Sequence, residues 1–475
     1  MTTLDLESSA KVFEPRSLRP GQGNGTMQRG SFVPLSKNYI TRGSPGAVSY
    51  HPHSYSHPLP LSAAPTSPVM NSALLSLIHQ IQLHDSNHRV TTTSRDKIKV
   101  PSGFLPSPEH YRPAISKDII PTPLWTTLPH CILREGEPLT DCLLRAGMKE
   151  TILSIPGFPY PYTNPSPQRY KIKPIRGKGI GMVATVDIDV GDLILVERPL
   201  VLMAITTYAV PPESYLQQPA RLQEILIERL QRQEYEEFFA LHNCKGNTRP
   251  HIQGIFDTNS IGIGRLPGFD GQCGAVCKDI SRVNHSCSPN AEWRFDVETF
   301  TVALRAIAPI KNSEQVFVSY TDSLRPRAER QKHLLERYKF ECTCPSCASG
   351  SHKSDEARMT LRLINEGDKC EDHDDPMLRD WVHDRTKPDD MILVKCHKTI
   401  DLLESEKYYR GARCVLWYQR LAKAYCALED EDNARKWVQK AAKLARANTG
   451  HDAGWDAVVK NPKNTDWWGL RRVKP

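Results

Sequence analysis

The 475-residue chain lacks any apolar run of 18 or more residues, so a transmembrane helix is not expected. It also lacks an apolar segment at its start, where Asp5, Glu7 and Glu14 stand, so a secretory signal is not expected. Without such a signal, the 13 cysteines indicate a reducing compartment, in which clustered cysteines bind metal more often than they form disulfides. The net charge of +8 permits an acidic partner without proving one.

Aliphatic residues are scarce near the start of the chain, where proline, serine and histidine are frequent. Of the 37 prolines, 21 precede residue 166. Residues 1–70 cannot bury enough apolar surface to offset chain entropy, so they are predicted to be a disordered Ser/Pro/His-rich tail. Residues 71–166 are predicted to be a Pro-rich segment with short helices, one over 70–83 and another over 140–153. The clustered histidines favour solvated low-complexity sequence over a metal site.

A strand-like stretch followed by glycines begins at residue 170. Residues 171–175 alternate polar and apolar side chains as a half-buried strand does, and Pro174 would confine that strand to a sheet edge. Gly177, Gly179 and Gly181 then allow tight turns and a close approach to a ligand. Taken alone, a glycine turn in a β meander explains this pattern. A phosphate-binding loop is excluded because no Gly-Lys-Ser/Thr helix start follows.

Residues 281–290, Ser-Arg-Val-Asn-His-Ser-Cys-Ser-Pro-Asn, concentrate amide, imidazole and thiol groups between apolar segments. Such a string is unlike core sequence, although a plain loop is the alternative. About thirty residues later the β-like run 316–320, Val-Phe-Val-Ser-Tyr, ends in a tyrosine.

A group of three cysteines follows, at Cys342, Cys344 and Cys347. Structural zinc takes four tetrahedral ligands, usually rich in sulfur, and no clean fourth ligand stands directly downstream. His352 is one candidate, and three free cysteines are the alternative. Cys273 and Cys277 are interpreted as two free thiols, with a metal pair as the alternative.

These four blocks, in this order, resemble a SET-domain protein methyltransferase of the split-SET class, which includes the SET-and-MYND proteins and their fungal relatives. The resemblance covers roughly residues 170–347. It implies an α+β fold, with a β-rich SET core and its pseudoknot over 167–322 and a post-SET zinc site over 323–348. A helical, tetratricopeptide-like region is predicted over 349–475. A helical insert at about 211–255 stands where the SET-and-MYND proteins carry a zinc module, and its single cysteine, Cys244, excludes that module.

The resemblance also implies roles for individual residues in an S-adenosylmethionine-dependent protein-lysine N-methyltransferase. Tyr320 would be the catalytic tyrosine, with a core tyrosine as the alternative. Zinc would be bound by four cysteines: Cys287, Cys342, Cys344 and Cys347. S-adenosylmethionine would be contacted by these residues: Lys178, Gly179, Ile180, Asn259, Asn284, His285, Tyr338 and Phe340. Among them, Phe340 would stack on the adenine, assisted by Tyr338.

One departure from the family concerns the residues before the catalytic strand, where Asn312-Ser313-Glu314 replaces Gly-Glu-Glu or Gly-Asp-Glu. Asn312 is predicted to supply the left-handed turn that glycine normally allows.

The substrate is predicted to be a lysine of a histone or another protein, in the nucleus, the cytoplasm or both. Neither a membrane nor a sequence-specific nucleic-acid partner is expected.

The remaining segments are predicted to be mainly helical. Residues 220–242 fit one amphipathic helix, and 325–338 fit a charged helix that we interpret as a solvated connector. The acid-rich stretch 368–390 favours a solvated face over a dock for a basic substrate tail. Residues 416–447 fit a helical hairpin that resembles one tetratricopeptide unit, and the end 467–472 is predicted to dock onto the body or to contact a partner.

A second function fits the same residues. A degenerate SET core, stapled by zinc, could serve as a non-catalytic interaction scaffold with a helical protein-binding C-terminus. The two hypotheses differ at Tyr320, which matters for catalysis and not for a scaffold.

Overall fold

The computed structural model describes residues 122–129, 137–205, 219–348, 352–368, 370 and 375–472. The chain divides into two units, Met1–Val69 and Met70–Pro475, and every described residue belongs to the second. The predictions of a disordered tail over 1–70 and of a helix over 70–83 lie outside the described residues.

The strands are short and most of them lie in the first two thirds of the chain. Their bounds are β1 (Pro123–Leu128), β2 (Thr140–Arg145), β3 (Tyr170–Ile175), β4 (Gly179–Ala184), β5 (Leu193–Glu197), β6 (Val201–Ala204), β7 (Ile261–Leu266), β8 (Phe269–Val276), β9 (Asn284–His285), β10 (Ala291–Asp296), β11 (Thr301–Ala306) and β12 (Phe317–Val318).

These strands form small sheets. One has the order β1-β2-β6-β8-β7, in which β2 and β6 are parallel and the other neighbours antiparallel. A second has the order β10-β11-β5, β3 and β4 form a hairpin, and β9 and β12 form a parallel pair. Since β3 hydrogen-bonds only to β4 among the described strands, it is an edge strand, as Pro174 predicted.

The helix predicted over 140–153 is wrong in its first half. Residues 140–145 form strand β2, which lies between β1 and β6 and buries Leu143 and Leu144 on opposite faces of the sheet. Gly147 then turns the chain at φ 88°, and a helix follows at Met148–Leu153. Leu143, Leu144, Met148 and Ile152 are all buried, so their spacing resembles one helical stripe although it comes from a strand and a helix in sequence.

The helices dominate the last third of the chain. Their bounds are α1 (Met148–Leu153), α2 (Pro219–Glu228), α3 (Arg232–Phe239), α4 (His251–Asn259), α5 (Arg327–Tyr338), α6 (Pro345–Ala348), α7 (His352–Gly367), α8 (Pro376–His383), α9 (Met391–Ser405), α10 (Ala412–Ala427), α11 (Glu431–Thr449) and α12 (Trp455–Lys460). Within the described part of the chain, none of them has the length and apolar character that a bilayer crossing requires.

The single helix predicted over 220–242 is two helices, α2 and α3. The Gln231 N–H donates to the Glu234 carboxylate at 3.1 Å, which begins a new helix at that point. Leu226 and Phe238 are nevertheless buried as the amphipathic pattern predicted, and they pack with Ile255 of α4 and Trp125 of β1.

The helical hairpin predicted over 416–447 is present as α10 and α11. Small side chains such as Ala424, Ala427 and Ala441 are fully buried between the helices and let their backbones approach closely. The Asp430 carboxylate accepts the Asn433 N–H at 3.1 Å and caps the start of α11. The tetratricopeptide resemblance of this hairpin stays a prediction.

The acid-rich stretch 368–390 is not simply a solvated face. Asp368 and Asp375 are both bound by the buried guanidinium of Arg420, with 2.6 Å between Arg420 Nε and Asp375. At the end of the chain, buried Arg471 donates to Asp389 at 2.9 Å and to the Asp384 carbonyl at 2.8 Å. The acidic groups therefore bind arginines of the same region, and the predicted docking of residues 467–472 onto the body is confirmed.

Candidate active site and four-cysteine centre

Two segments that are distant in sequence meet at the centre of the site. Strand β9 pairs in parallel with β12, so that Asn284 lies opposite Phe317 and His285 lies opposite Val318. The Ser286 N–H continues the ladder by donating to the Val318 carbonyl at 2.9 Å. The polar block 281–290 and the tyrosine-ending run 316–320, two of the blocks on which the SET resemblance depends, therefore form one unit.

Asn290 fixes this crossing. Its Oδ1 accepts the Phe317 N–H at 2.7 Å, and its Nδ2 donates to the Gln315 carbonyl at 3.0 Å. The side chain is buried, so its amide satisfies these two backbone groups in place of water.

Tyr320 is held at both its backbone and its hydroxyl. Its N–H donates to His285 Nδ1 at 3.0 Å, and its hydroxyl donates to the Val283 carbonyl at 2.7 Å. Burial, followed by the nearby Tyr338, raises the pKa of the Tyr320 hydroxyl well above its usual range. The hydroxyl therefore stays protonated at neutral pH, and with its proton engaged its lone pairs are left as acceptors.

His285 connects this tyrosine to the cysteines. Burial lowers the pKa of His285 to about 3, so the ring is neutral. Because Nδ1 accepts the Tyr320 N–H, the proton of the neutral ring stands on Nε2, which lies 3.4 Å from Cys287 Sγ.

The four cysteines predicted to bind zinc come together. The Sγ atoms of Cys287, Cys342, Cys344 and Cys347 lie within 4.8 Å of one another, and those of Cys287 and Cys347 are 3.5 Å apart. A tetrahedral zinc–thiolate site with bonds of about 2.3 Å has sulfur–sulfur edges of about 3.8 Å. All four residues are buried, and the donor set is the sulfur-rich one that structural zinc prefers. The residues therefore fit the metal, with Cys287 rather than His352 as the fourth ligand.

Arg330 corrects the interpretation of residues 325–338 as a solvated connector. Its side chain is fully buried on α5, and its Nε and one Nη make no hydrogen bond within the described part of the chain. Although burial lowers the pKa of Arg330, Cys287 and Cys347 more than offset it, so the guanidinium stays charged beside the sulfur cluster. A zinc bound by four thiolates carries two negative charges, which this cation opposes.

Arg358 is a second buried cation that sequence reasoning missed. It lies on α7 and donates to the Cys287 carbonyl at 3.1 Å and to the Ser323 carbonyl at 2.5 Å. Its Nε binds the Glu406 carboxylate at 2.8 Å, just beyond the end of α9. The helical region is thereby bonded directly to the backbone of the polar block.

Gly181 marks the predicted cofactor side. A Cβ at this position would lie 2.5 Å from Asn284 Nδ2 and 2.6 Å from Gln315 Nε2. Gln315 Nε2 is buried and has no hydrogen-bond partner within the described residues. A close backbone approach beside an unsatisfied donor is what a polar ligand would use, so the residues present fit a bound cofactor.

The predicted contacts on the β3–β4 hairpin lie beside this point. The Asn284 amide donates to the Ile180 carbonyl at 3.3 Å, and Lys178 Nζ lies 4.6 Å from the centre of the Phe317 ring. Lys178, Gly179 and Ile180 are exposed at the tip of the hairpin.

The other predicted cofactor residues are placed as follows. The Asn259 amide donates to the carbonyls of His242 and Ile255 at 2.7 and 2.8 Å, so both its protons are engaged within the protein. The Phe340 ring centre lies 6.2 Å from that of His285. The Tyr338 ring lies against Tyr320, with 4.8 Å between centres. The roles of these residues stay predictions.

The turn before β12 differs from the prediction. Ser313, not Asn312, adopts the left-handed conformation, at φ 68°. The Asn312 N–H instead donates to the Asp187 carboxylate at 2.8 Å, and the Glu314 carboxylate accepts the Lys311 N–H at 2.9 Å. The chain turns without glycine because these side chains hold both ends of the turn.

A cavity of about 550 Å³ opens beside Tyr320, between the strands and the helical region. It is lined by polar and aromatic side chains, which include Thr321, Asp322, His333, Tyr408 and Arg410.

Comparisons with known proteins match the segment that carries this site. The family model of the SET domain matches residues 179–321. The chain is 31% identical to the histone-lysine N-methyltransferase set5 of Schizosaccharomyces pombe over 184 residues, which are 39% of this chain and 52% of that protein. It is 34% identical to the N-lysine methyltransferase SMYD2 of Bos taurus over 160 residues, which are 33% of this chain and 32% of that protein.

Among solved structures, the SET domain of LSMT bound to lysine and AdoHcy shows 14% identity and a TM-score of 0.26, over 66% of this chain and 92% of that one. In the two sequence matches, the chain spans about half the length of set5 and about a third of that of SMYD2. The resemblance stated from the sequence is confirmed: the chain contains a SET domain.

Proposed function

We propose, from the SET domain at residues 179–321, that this protein is an S-adenosylmethionine-dependent protein-lysine N-methyltransferase. The observation that carries the proposal is the position of the Tyr320 hydroxyl. It is fixed by the Val283 carbonyl at the crossing of β9 and β12, between the cofactor side at Gly181 and the cysteine cluster. The names of set5 and SMYD2 support the same activity.

S-adenosylmethionine, when bound, supplies a methyl group already activated on a sulfonium. The residues that would hold it are those near Gly181, namely Lys178 to Ile180 with Asn284, and the buried Gln315 amide is a further donor on that side. Both ring nitrogens of His285 are engaged, so His285 would offer its backbone rather than its ring.

The chain's part in the reaction is positioning and desolvation. A lysine ammonium, with an ordinary pKa of about 10.4, must lose a proton before it can attack, and an apolar aromatic passage lowers that pKa. Tyr320 and Tyr338 provide two aromatic walls. Because the Tyr320 hydroxyl stays protonated, it orients the amine as an acceptor and does not act as its base.

The cysteine cluster would hold the aromatic wall in place. Tyr338 and Phe340 pack against the cluster, and the Gln331 amide binds both the carbonyl and the N–H of Cys342, at 2.7 and 2.8 Å. Zinc bound there would close the segment 338–347 over the site, a structural role rather than a chemical one.

The proposed substrate is a protein lysine that enters the cavity beside Tyr320. A histone substrate is supported by the name of set5 alone, and placement in the nucleus, the cytoplasm or both stays a prediction. The polar lining, with Asp322 and His333, suits a peptide with polar neighbours around the lysine.

The test combines cofactor binding with methyl transfer. The pure protein is incubated with labelled S-adenosylmethionine and either histones or a cell lysate, and transfer is scored by protein band. Tyr320→Phe is expected to lower transfer on the order of 100-fold or more, while the thermal shift given by S-adenosylhomocysteine persists. Tyr235→Phe, which removes an exposed hydroxyl from α3, serves as the matched control. A wild type with neither thermal shift nor transfer would favour the scaffold hypothesis.

A further inference from the structure

The β3–β4 hairpin carries an unusual excess of positive charge. Lys171, Lys173, Arg176 and Lys178 stand within eight residues, and no Asp or Glu occurs between Glu150 and Asp187. All four side chains are exposed. Lys171 and Lys173 alternate with inward-facing residues of β3, so they project from the same face, and the other two extend the row through the turn.

The next acidic residues along the chain are paired with other cations. Asp187, Asp189 and Asp192 are the first carboxylates beyond the hairpin, and each already binds another cation. Their partners are Lys311 at 3.0 Å, Lys443 at 2.5 Å and Arg169 at 3.1 Å.

The cations of the hairpin make no such pairs. No ion pair holds any of the four within the described part of the chain. Lys178 lies over the Phe317 ring, which is a contact that keeps the charge. The hairpin is therefore an uncompensated basic surface, in contrast to the paired charges around it.

We propose that the β3–β4 hairpin binds the phosphate backbone of nucleic acid without sequence selectivity. From residue 170 to 175 strand β3 covers about 17 Å, along which duplex DNA presents roughly ten phosphates. A row of lysines with one arginine matches a linear polyanion. A single phosphorylated side chain is usually recognised by converging arginines with bidentate geometry, which this row does not provide.

The position of the hairpin gives this binding a consequence. One end of the row is Lys178, which contacts the strand that pairs with Asn284. Nucleic acid bound along the hairpin would run past the catalytic segment and would bring with it any protein that it carries. The binding itself does not depend on methyl transfer, so it can be tested separately from the proposed function.

Lysines on an edge strand have a second known use, because they discourage pairing between sheets of different molecules. That use explains Lys171 and Lys173 beside Pro174 on β3, but it does not explain Arg176 and Lys178 in the turn. The experiment therefore includes the oligomeric state.

The test measures binding of a fluorescent 20-base-pair duplex to the full chain by anisotropy, between 50 and 200 mM salt. The variant Lys171→Gln/Lys173→Gln/Arg176→Gln leaves Lys178 intact because of its predicted cofactor role. Each phosphate contact contributes about 0.9 to the slope of log affinity against log salt, so the variant should lose about 2.7 from the slope. Its affinity at the lowest salt should fall at least ten-fold, with equal effects on duplexes of unrelated sequence.

The matched control removes three exposed lysines from the helical region, as Lys395→Gln/Lys398→Gln/Lys460→Gln. It changes the net charge equally, so it should keep the wild-type slope if the hairpin is the binding surface. Tm values and circular-dichroism spectra equal to those of the wild type show that both variants are folded.

Three results would overturn the proposal. The first is an equal loss of slope in both variants, which would mean a diffuse charge effect. The second is binding that depends on the hairpin but prefers an acidic peptide to the duplex. The third is self-association of the hairpin variant with unchanged duplex binding, which would leave edge protection as the role of the lysines.

Discussion

Two regions that flank the β9–β12 pair are held very differently. On one side, residues 283–290 and 338–347 are joined by the four cysteines, Arg358 bonds to the Cys287 carbonyl, and Arg330 is buried beside the cluster. We call this side the pinned wall. On the other side, the base of the β3–β4 hairpin bonds to residues 314–316, while its tip is exposed, with Ile180 at 45%. We call this side the open wall.

The difference separates two tasks. The pinned wall carries the groups whose positions matter for the proposed chemistry. Three of its bonds join residues far apart in sequence: Tyr320 to His285, Arg358 to Cys287, and Cys287 to Cys347. The open wall has few buried contacts at its tip, so it is free to admit a ligand at low cost in stability. Changes to the pinned wall should therefore affect folding and metal content, and changes to the open wall should affect binding.

The largest effect is expected from Cys287→Ser, which removes one predicted zinc ligand from the pinned wall. With a ligand removed, bound zinc should fall from about one per chain to nearly none, and Tm should fall by roughly 10 °C. Elemental analysis and thermal unfolding measure the two. Cys414→Ser, a buried cysteine outside the cluster, is the control and should keep the zinc. Full zinc in Cys287→Ser would contradict the assigned ligand set.

An intermediate effect is expected from the open wall at Gly181→Ala. The added Cβ collides with the Asn284 and Gln315 amides, which must move away from the cofactor side. Affinity for S-adenosylhomocysteine, measured by calorimetry, should fall about ten-fold or more, with zinc retained and Tm changed by only a few degrees. Gly262→Ala is the control, because its Cβ meets nothing within 4 Å. Equal affinities in the two variants would count against a cofactor site beside Gly181.

The smallest effect is expected from the Glu197 carboxyl, which lies beneath the pinned wall and should make the stability of the protein depend on pH. Its carboxyl accepts the Ile280 N–H at 2.6 Å, at the turn that leads to Val283. Burial raises the pKa of Glu197 to about 8. The hydrogen bond from the Ile280 N–H lowers this pKa, whereas the negative charge of Asp279 raises it further. Between the ordinary value near 4.5 and about 8, the folded protein binds more protons than the unfolded chain, so its stability should fall as pH rises.

Thermal unfolding across pH 5 to 8.5 measures this dependence. Glu197→Gln removes the titrating group, so its curve should be flatter than that of the wild type, by a few degrees in Tm over the range. Parallel curves for the two proteins would show that Glu197 does not titrate in that window.

The centre of the site could be predicted from sequence, and its supports could not. Tyr320, the polar block and the four cysteines carry short-range patterns that survive without knowledge of the fold, and the structure brings them together. The burial of Arg330 and Arg358 depends on partners that no local pattern indicates. One faint signal existed for Arg330: it precedes Leu334 by four residues, which places both on the same helical face.

The fold was predicted least well where the buried residues of two consecutive elements are spaced as in a single helix. Strand β2 and helix α1 together bury residues at intervals that fit a single helix, and only the pairing with β1 and β6 decides between the two. The left-handed residue was assigned to Asn312 from residue type, whereas the hydrogen bond to Asp187 shifts the turn to Ser313.

The bonds of Arg358 have a consequence for dissecting the protein. A fragment that stops after the last cluster cysteine would keep every residue of the matched domain, yet the carbonyls of Cys287 and Ser323 would lose their donor. The region after residue 348 thus braces the polar block from outside the matched domain and is not a removable appendage. Substitutions on its outer surface should be tolerated, whereas loss of the Arg358 guanidinium should not be.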